Sequence, residues 1–74
     1  MMNQLDLHGT KHADVQKKLD DFLWENMQNG NEAVDVITGI SDEMKRIVSN
    51  IVSEYGMTCE NDWNNPGKII INLM

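Results

Sequence analysis

The chain is poor in the features that would stabilise a small protein covalently. Its single cysteine, Cys59, cannot form an internal disulfide, and no cluster of Cys and His marks a structural zinc site. No apolar run approaches the roughly 18 residues of a membrane span, so no membrane association is expected. The opening Met1-Met2-Asn3-Gln4 has no basic stretch leading into an apolar one, so no export signal is expected. Together with the unpaired thiol, this points to a cytoplasmic protein. Cations are scarce: six Lys and Arg face twelve Asp and Glu, a net charge of −6. Taken alone, that balance weighs against broad nucleic-acid binding, which relies on cations to neutralise phosphates. At 74 residues the chain is expected to be one domain, 1–74, with no linker, repeat or low-complexity segment. So small a domain is marginally stable and needs either an efficient core or a partner copy. The sequence itself sets no oligomeric state. A 41% hydrophobic and 24% charged composition is that of a globular chain rather than a disordered one.

The most ordered pattern comes first. In Leu5-Asp6-Leu7-His8-Gly9 two apolar residues alternate with two polar ones, a period of two that predicts a strand closed by a glycine. Val15, Leu19, Phe22, Leu23 and Met27 then follow at helical spacing, with Thr10 as the expected N-cap and Gly30 as the stop. Trp24 flanks this stripe and is expected to be partly buried. Ala33 to Gly39 is β-branched and again glycine-closed, and a helix-length crossover predicts that it runs parallel to the first strand. Ser41 or Asp42 caps a second helix with the stripe Met44, Ile47, Val48, Ile51, Val52 and Tyr55, stopped by Gly56. The runs Met57 to Trp63 and Lys68 to Leu73 should form a hairpin around Asn64-Asn65-Pro66-Gly67, with Pro66-Gly67 central in a type II turn. Ile69-Ile70-Ile71 reads as an inner strand.

The predicted order is therefore β-α-β-α-β-β, a two-layer α/β sandwich with both helices on one face of a mixed sheet. Leu5, Leu7, Val34, Val36, Ile69 and Ile71 would face the helices. Asp6, His8, Asp35, Glu60 and Asp62 would fall on the open, acidic face, most simply for solubility.

The cations are placed elsewhere. Lys11, Lys45 and Arg46, joined by His12, stand at or near the two helix starts. Cations there oppose the helix dipole, and a bound anion would offset that cost. The competing reading is that Asp42 and Glu43 already neutralise the second start. Asp6 and His8, at i and i+2, could form an acid–base pair or share a metal ion; a purely structural pair is the alternative. Neither Ser41 nor Cys59 has the surroundings of a nucleophile.

The chain resembles the Smr domain, the small MutS-related module, over nearly its whole length. The family's opening LDLHG stands intact as Leu5-Asp6-Leu7-His8-Gly9. Its second motif, an apolar strand running into a His-Gly or Thr-Gly step, is matched by Val36-Ile37-Thr38-Gly39, with Met44-Lys45 at the helix start. The second glycine of that motif is here Ser41, and its frequent basic residue is Ile40. The resemblance implies a four-stranded mixed sheet like that of the C-terminal domain of bacterial initiation factor three. It implies DNA or RNA binding, and nicking of structured DNA or RNA as in several members. Asp6 and His8 would be catalytic, with Mg²⁺ or Mn²⁺ as the candidate ion. Phosphate would sit by Gly9, Lys11, His12, Thr38, Gly39, Lys45 and Arg46. The alternative expectation is a non-catalytic Smr-fold adaptor that binds a protein partner.

Overall fold

The computed structural model describes residues 4–73; Met1, Met2 and Asn3, read above for an export signal, lie outside them. The elements follow in the predicted order: β1 (Gln4–Asp6), α1 (His12–Gln28), β2 (Ala33–Ile37), α2 (Asp42–Glu54), β3 (Thr58–Asp62) and β4 (Asn65–Asn72). They make one four-stranded sheet in the order β1-β2-β4-β3. β1 and β2 pair in parallel, with Leu5 opposite Val36. β4 runs antiparallel to both β2 and β3, which makes it the inner strand its apolar run predicts. Among the described residues no helix is long and apolar enough to cross a membrane.

The two amphipathic stripes and one side of the sheet close a single core. Leu7, Val34, Val36, Ile69 and Ile71 from the sheet side are buried against Val15, Leu19 and Leu23 of α1 and Met44, Val48, Ile51 and Val52 of α2. Each such residue contributes about 1.5–3 kcal/mol by leaving water. Leu5, on the edge strand, is only half-buried and packs on the rim of this cluster. The helices are also joined at the surface, where the Tyr55 hydroxyl donates to the Asp20 carboxylate. That bond to an anion, helped by burial and nearby carboxylates, pushes the Tyr55 phenol up to about 12.

Four local expectations are corrected. The N-cap of α1 is Lys11 rather than Thr10, because the Thr10 amide is used to close the preceding turn on the Leu7 carbonyl (2.9 Å). The last inward position of α1 is Asn26 rather than Met27. Its amide donates to the Phe22 carbonyl (2.8 Å), and its oxygen accepts from Asn31 (2.7 Å), so a polar residue closes the helix end from inside. Trp24 is 65% exposed, being on the side of α1 away from the core. The hairpin turns at Trp63-Asn64, not at Pro66-Gly67, and both of the latter residues belong to β4. There the Asp62 carboxylate accepts from the Asn64 amide (2.9 Å), and a bulge lets Asp62 pair with Asn65.

Candidate nucleic-acid interface

β1 and β2 are parallel and each leads directly into a helix, so both glycine turns and both helix starts lie at one end of the sheet. The β3–β4 hairpin tip reaches the same end, because those strands pair antiparallel to each other and β4 runs against β2. That edge carries most of the residues singled out from the sequence.

At the first turn, the Leu7 amide donates to the Ile37 carbonyl (2.8 Å), extending the parallel pairing one residue beyond β1. The chain then reverses through Leu7-His8-Gly9-Thr10. Gly9 has a φ of +78°, the left-handed value that the third position of a type II turn requires. The Asp6 carboxylate accepts from the His8 backbone amide (2.9 Å). Asp6 therefore braces the turn through the backbone of His8, where the strand alternation had paired it with the imidazole. His8 leaves the open sheet face as well, because β1 ends at Asp6 and His8 belongs to the turn.

His8 rests on the second turn. A Cβ built on Gly39 (φ +70°) would stand 2.8 Å from His8 Cδ2, so the absent side chain of Gly39 is the seat of the imidazole. The two sequence motifs thus meet at one contact. The second turn is otherwise turned inward. The Thr38 and Gly39 amides both donate to the Gly67 carbonyl (2.8 and 3.1 Å). The buried Thr38 hydroxyl donates to the Gly39 carbonyl (2.8 Å). Gly67 is placed for this approach, since a Cβ there would lie 3.3 Å from Gly39 Cα. Thr38 and Gly39 therefore support His8 from within, and the Gly39 amide is already engaged.

The two helix starts differ. Lys11 makes no side-chain cap, so the first turn of α1, which carries one carboxylate, Asp14, opens to solvent beside exposed Gly9, Lys11 and His12. At α2, Ser41 Oγ accepts from the Met44 amide (3.1 Å), and Asp42 and Glu43 occupy the first turn. Arg46 is ion-paired with Glu43. Lys45 is half-buried and faces the hairpin, lining an open groove of about 400 Å³ with Asp42, Cys59 and Glu60. The basic residues accordingly form two groups, Lys11 with His12 at the first turn and Lys45 with Arg46 toward β3.

Sequence reasoning missed two residues near this edge. Lys68 stands on the open face between Asp35 (3.3 Å) and Asp62 (3.1 Å), a position that only the strand register reveals. The Asn64 amide and Lys68 hold the Asp62 carboxyl below its ordinary value, and the two carboxylates raise Lys68. Trp63 is 97% exposed at the hairpin tip. An aromatic residue set between the turn formers Asp62 and Asn64 was its available signal. Among the described residues no three His, Cys, Asp or Glu side chains converge as a metal site. The Asp6 carboxylate is bonded to the His8 amide, and the side chains here do not make a complete ion-binding set.

The model of the Smr domain matches residues 5–64, from β1 to the tip of the hairpin. No curated protein and no solved structure matches the chain. The matched span contains both glycine turns and the seat of His8, and the chain belongs to the Smr domain family, a family of nucleic-acid-binding and nuclease-like domains.

Proposed function

We propose that this chain binds structured DNA or RNA in the cytoplasm, as one domain, with a backbone phosphate at the edge where β1 meets α1, and nicks it there. The observation that carries this reading is the position of His8: an exposed imidazole seated on Gly39, next to an uncapped helix start with Lys11 and His12. Free first-turn amides and cations together suit a phosphate. A neutral imidazole nitrogen can take the proton of the attacking hydroxyl as it bonds to phosphorus and the ester oxygen departs. Asp6 is the positioning residue, acting through the His8 amide. Thr38 and Gly39 hold the seat, and Lys45 and Arg46 form a second basic group toward β3, Arg46 being paired with Glu43. The incomplete ion-binding set leaves Mg²⁺ or Mn²⁺ to be tested as an additive, and no step is assigned to it.

Supercoiled plasmid and structured RNA, incubated with and without Mg²⁺ or Mn²⁺, test the reading. His8→Ala should abolish nicking and leave binding, read by fluorescence anisotropy, within a few-fold. Nicking that survives His8→Ala would remove the proposed role.

A second reading, the non-catalytic adaptor, is favoured by the exposed Trp24 and Met27 on α1, remote from the glycine turns in sequence. A stoichiometric protein partner together with no salt-sensitive nucleic-acid binding would select it.

A further inference from the structure

The hairpin tip carries an aromatic side chain that the site so far described does not use. Trp63 is 97% exposed, an unusual setting for the most costly side chain to leave in water. Its backbone is nevertheless held firmly on both sides. The Asp62 carboxylate accepts from the Asn64 amide (2.9 Å) and pairs with Lys68 (3.1 Å). The Asn65 side chain accepts from the Gly67 amide (3.0 Å). The indole is thus displayed on a braced turn. It also borders an open groove of about 360 Å³ lined by Asp42, Lys45, Asn61, Asp62 and Pro66, in which the Asp62 charge is paired with Lys68. Lys45, unlike Arg46, has no ion-pair partner among the described residues.

We propose that this groove is a subsite for one unpaired nucleotide, its base stacked on Trp63 and its phosphate on Lys45. The inference rests on the nucleic-acid reading above and names its substrate class: single-stranded or looped segments rather than continuous duplex. Three observations favour that occupant. A free ammonium beside an exposed indole matches the alternating phosphate and base of a single strand. The Asn61 amide offers both a donor and an acceptor at the groove wall. The open sheet face carries Asp35, Glu60 and Asp62 around one lysine, which disfavours a duplex lying across it, whereas a single strand needs only the edge. Bases inside a duplex are already stacked on each other and cannot offer a face to an indole.

The sequence contains two tryptophans, so in Trp24→Phe, excited at the red edge where tyrosine does not absorb, the emission comes from Trp63. The full-length chain carrying this change is titrated with a fluorescein-free oligothymidylate, an abasic oligonucleotide of equal length and a blunt duplex, while anisotropy on labelled copies reports binding independently. The single strand should quench Trp63 emission with the same midpoint as the anisotropy. The abasic strand should bind about tenfold or more weakly and leave emission unchanged. Trp63→Ala should lose about tenfold or more in single-strand affinity, and Trp63→Phe should retain most of it. Thermal melts of both variants should match the parent, because the side chain is exposed. Single-strand binding with unchanged Trp63 emission and an unaffected Trp63→Ala would overturn the subsite and leave the nucleic-acid reading standing. Binding to none of the three probes by anisotropy would overturn the subsite, and a duplex bound more tightly than the single strand would overturn the substrate class.

Discussion

After β1 the chain turns through Leu7-His8-Gly9-Thr10 and enters α1 with no side chain on its first amides. After β2 it turns through Thr38-Gly39-Ile40-Ser41 and enters α2 with Ser41 bound to the Met44 amide and two carboxylates in the first turn. Both turns end a parallel strand, and both use a glycine at positive φ. Their hydrogen-bonding groups go to different places. The second turn gives its amides to Gly67 and its glycine surface to His8, whereas the first leaves a helix start without a side-chain cap beside exposed Lys11 and His12. One turn is therefore a support and the other is the surface it supports. Loss of a glycine-rich second loop, with Ile40 and Ser41 in its place, need not remove the site if the working groups belong to the first turn.

Gly67 is where this difference should break most visibly. Alanine there places a Cβ 3.3 Å from Gly39 Cα, which is backbone and yields little. Gly67→Ala should cost about 1–3 kcal/mol in urea unfolding, as overpacked sites do. Amide exchange should quicken at Thr38 and Gly39, and protection of Thr10 should be unchanged. Equal loosening of both turns would show that they are not separately supported.

A paired comparison of Gly9→Ala and Gly39→Ala is more selective. Each forces a side chain into the left-handed region at about 1–2 kcal/mol. Around Gly9 the space for a Cβ is open, but at Gly39 it collides with His8 Cδ2 at 2.8 Å. His8 is exposed and its ring can swing away, so the extra effect should appear as displacement rather than instability. The His8 ring resonances should move strongly in Gly39→Ala and little in Gly9→Ala. Nicking should fall accordingly in the first variant and persist in the second.

Much of this plan is legible in the sequence because it is periodic. The alternation in Leu5-Asp6-Leu7-His8-Gly9 and in β2, with the two helical stripes, sets the element order and names five of the buried sheet-side residues, Leu7, Val34, Val36, Ile69 and Ile71. The misreadings fall where a distant contact overrides local preference. Pro66-Gly67 has the residue types of a type II turn, but Gly67 is held inside β4 by its approach to Gly39, a neighbour 28 positions away. Lys68 between Asp35 and Asp62 likewise needs the strand register. Asp6 next to His8 was visible as a pair, yet its bond to the backbone amide depends on the turn and not on the spacing.

The helix starts sharpen the comparison at a smaller scale. Ser41→Ala removes the cap on the Met44 amide and should cost about 1 kcal/mol. Lys11→Ser supplies a cap that α1 lacks and should stabilise the fold by up to about 1 kcal/mol. It also removes a cation and occupies a first-turn amide, so nucleic-acid affinity should fall as stability rises. A Lys11→Ser variant that gains stability and binds as before would mean that phosphate is held elsewhere.

The smallest expected effect concerns the brace that the first turn shares with the hairpin tip. Asp6 accepts from the amide two residues on, and Asp62 does the same to Asn64, each at 2.9 Å. Asp62 is also paired with Lys68, and the Asn64 amide and this lysine hold its carboxyl below the ordinary value of 3.8. The folded form therefore favours the ionised carboxylate. The stability this adds is complete well above pH 3.8 and is lost as pH falls through the lower, folded-state value. Exchange of the Asn64 amide should accelerate across that acidic interval, beyond the intrinsic change measured on a short peptide. Asp62→Asn keeps an oxygen for the Asn64 amide but has no charge to titrate or to pair with Lys68. It should retain the turn at neutral pH and lose the acid-dependent acceleration, whereas Asp62→Ala should expose the Asn64 amide at every pH. If Asp62→Asn behaves like Asp62→Ala, the ion pair with Lys68 rather than the hydrogen bond holds the tip, and the likeness between the two braced turns fails.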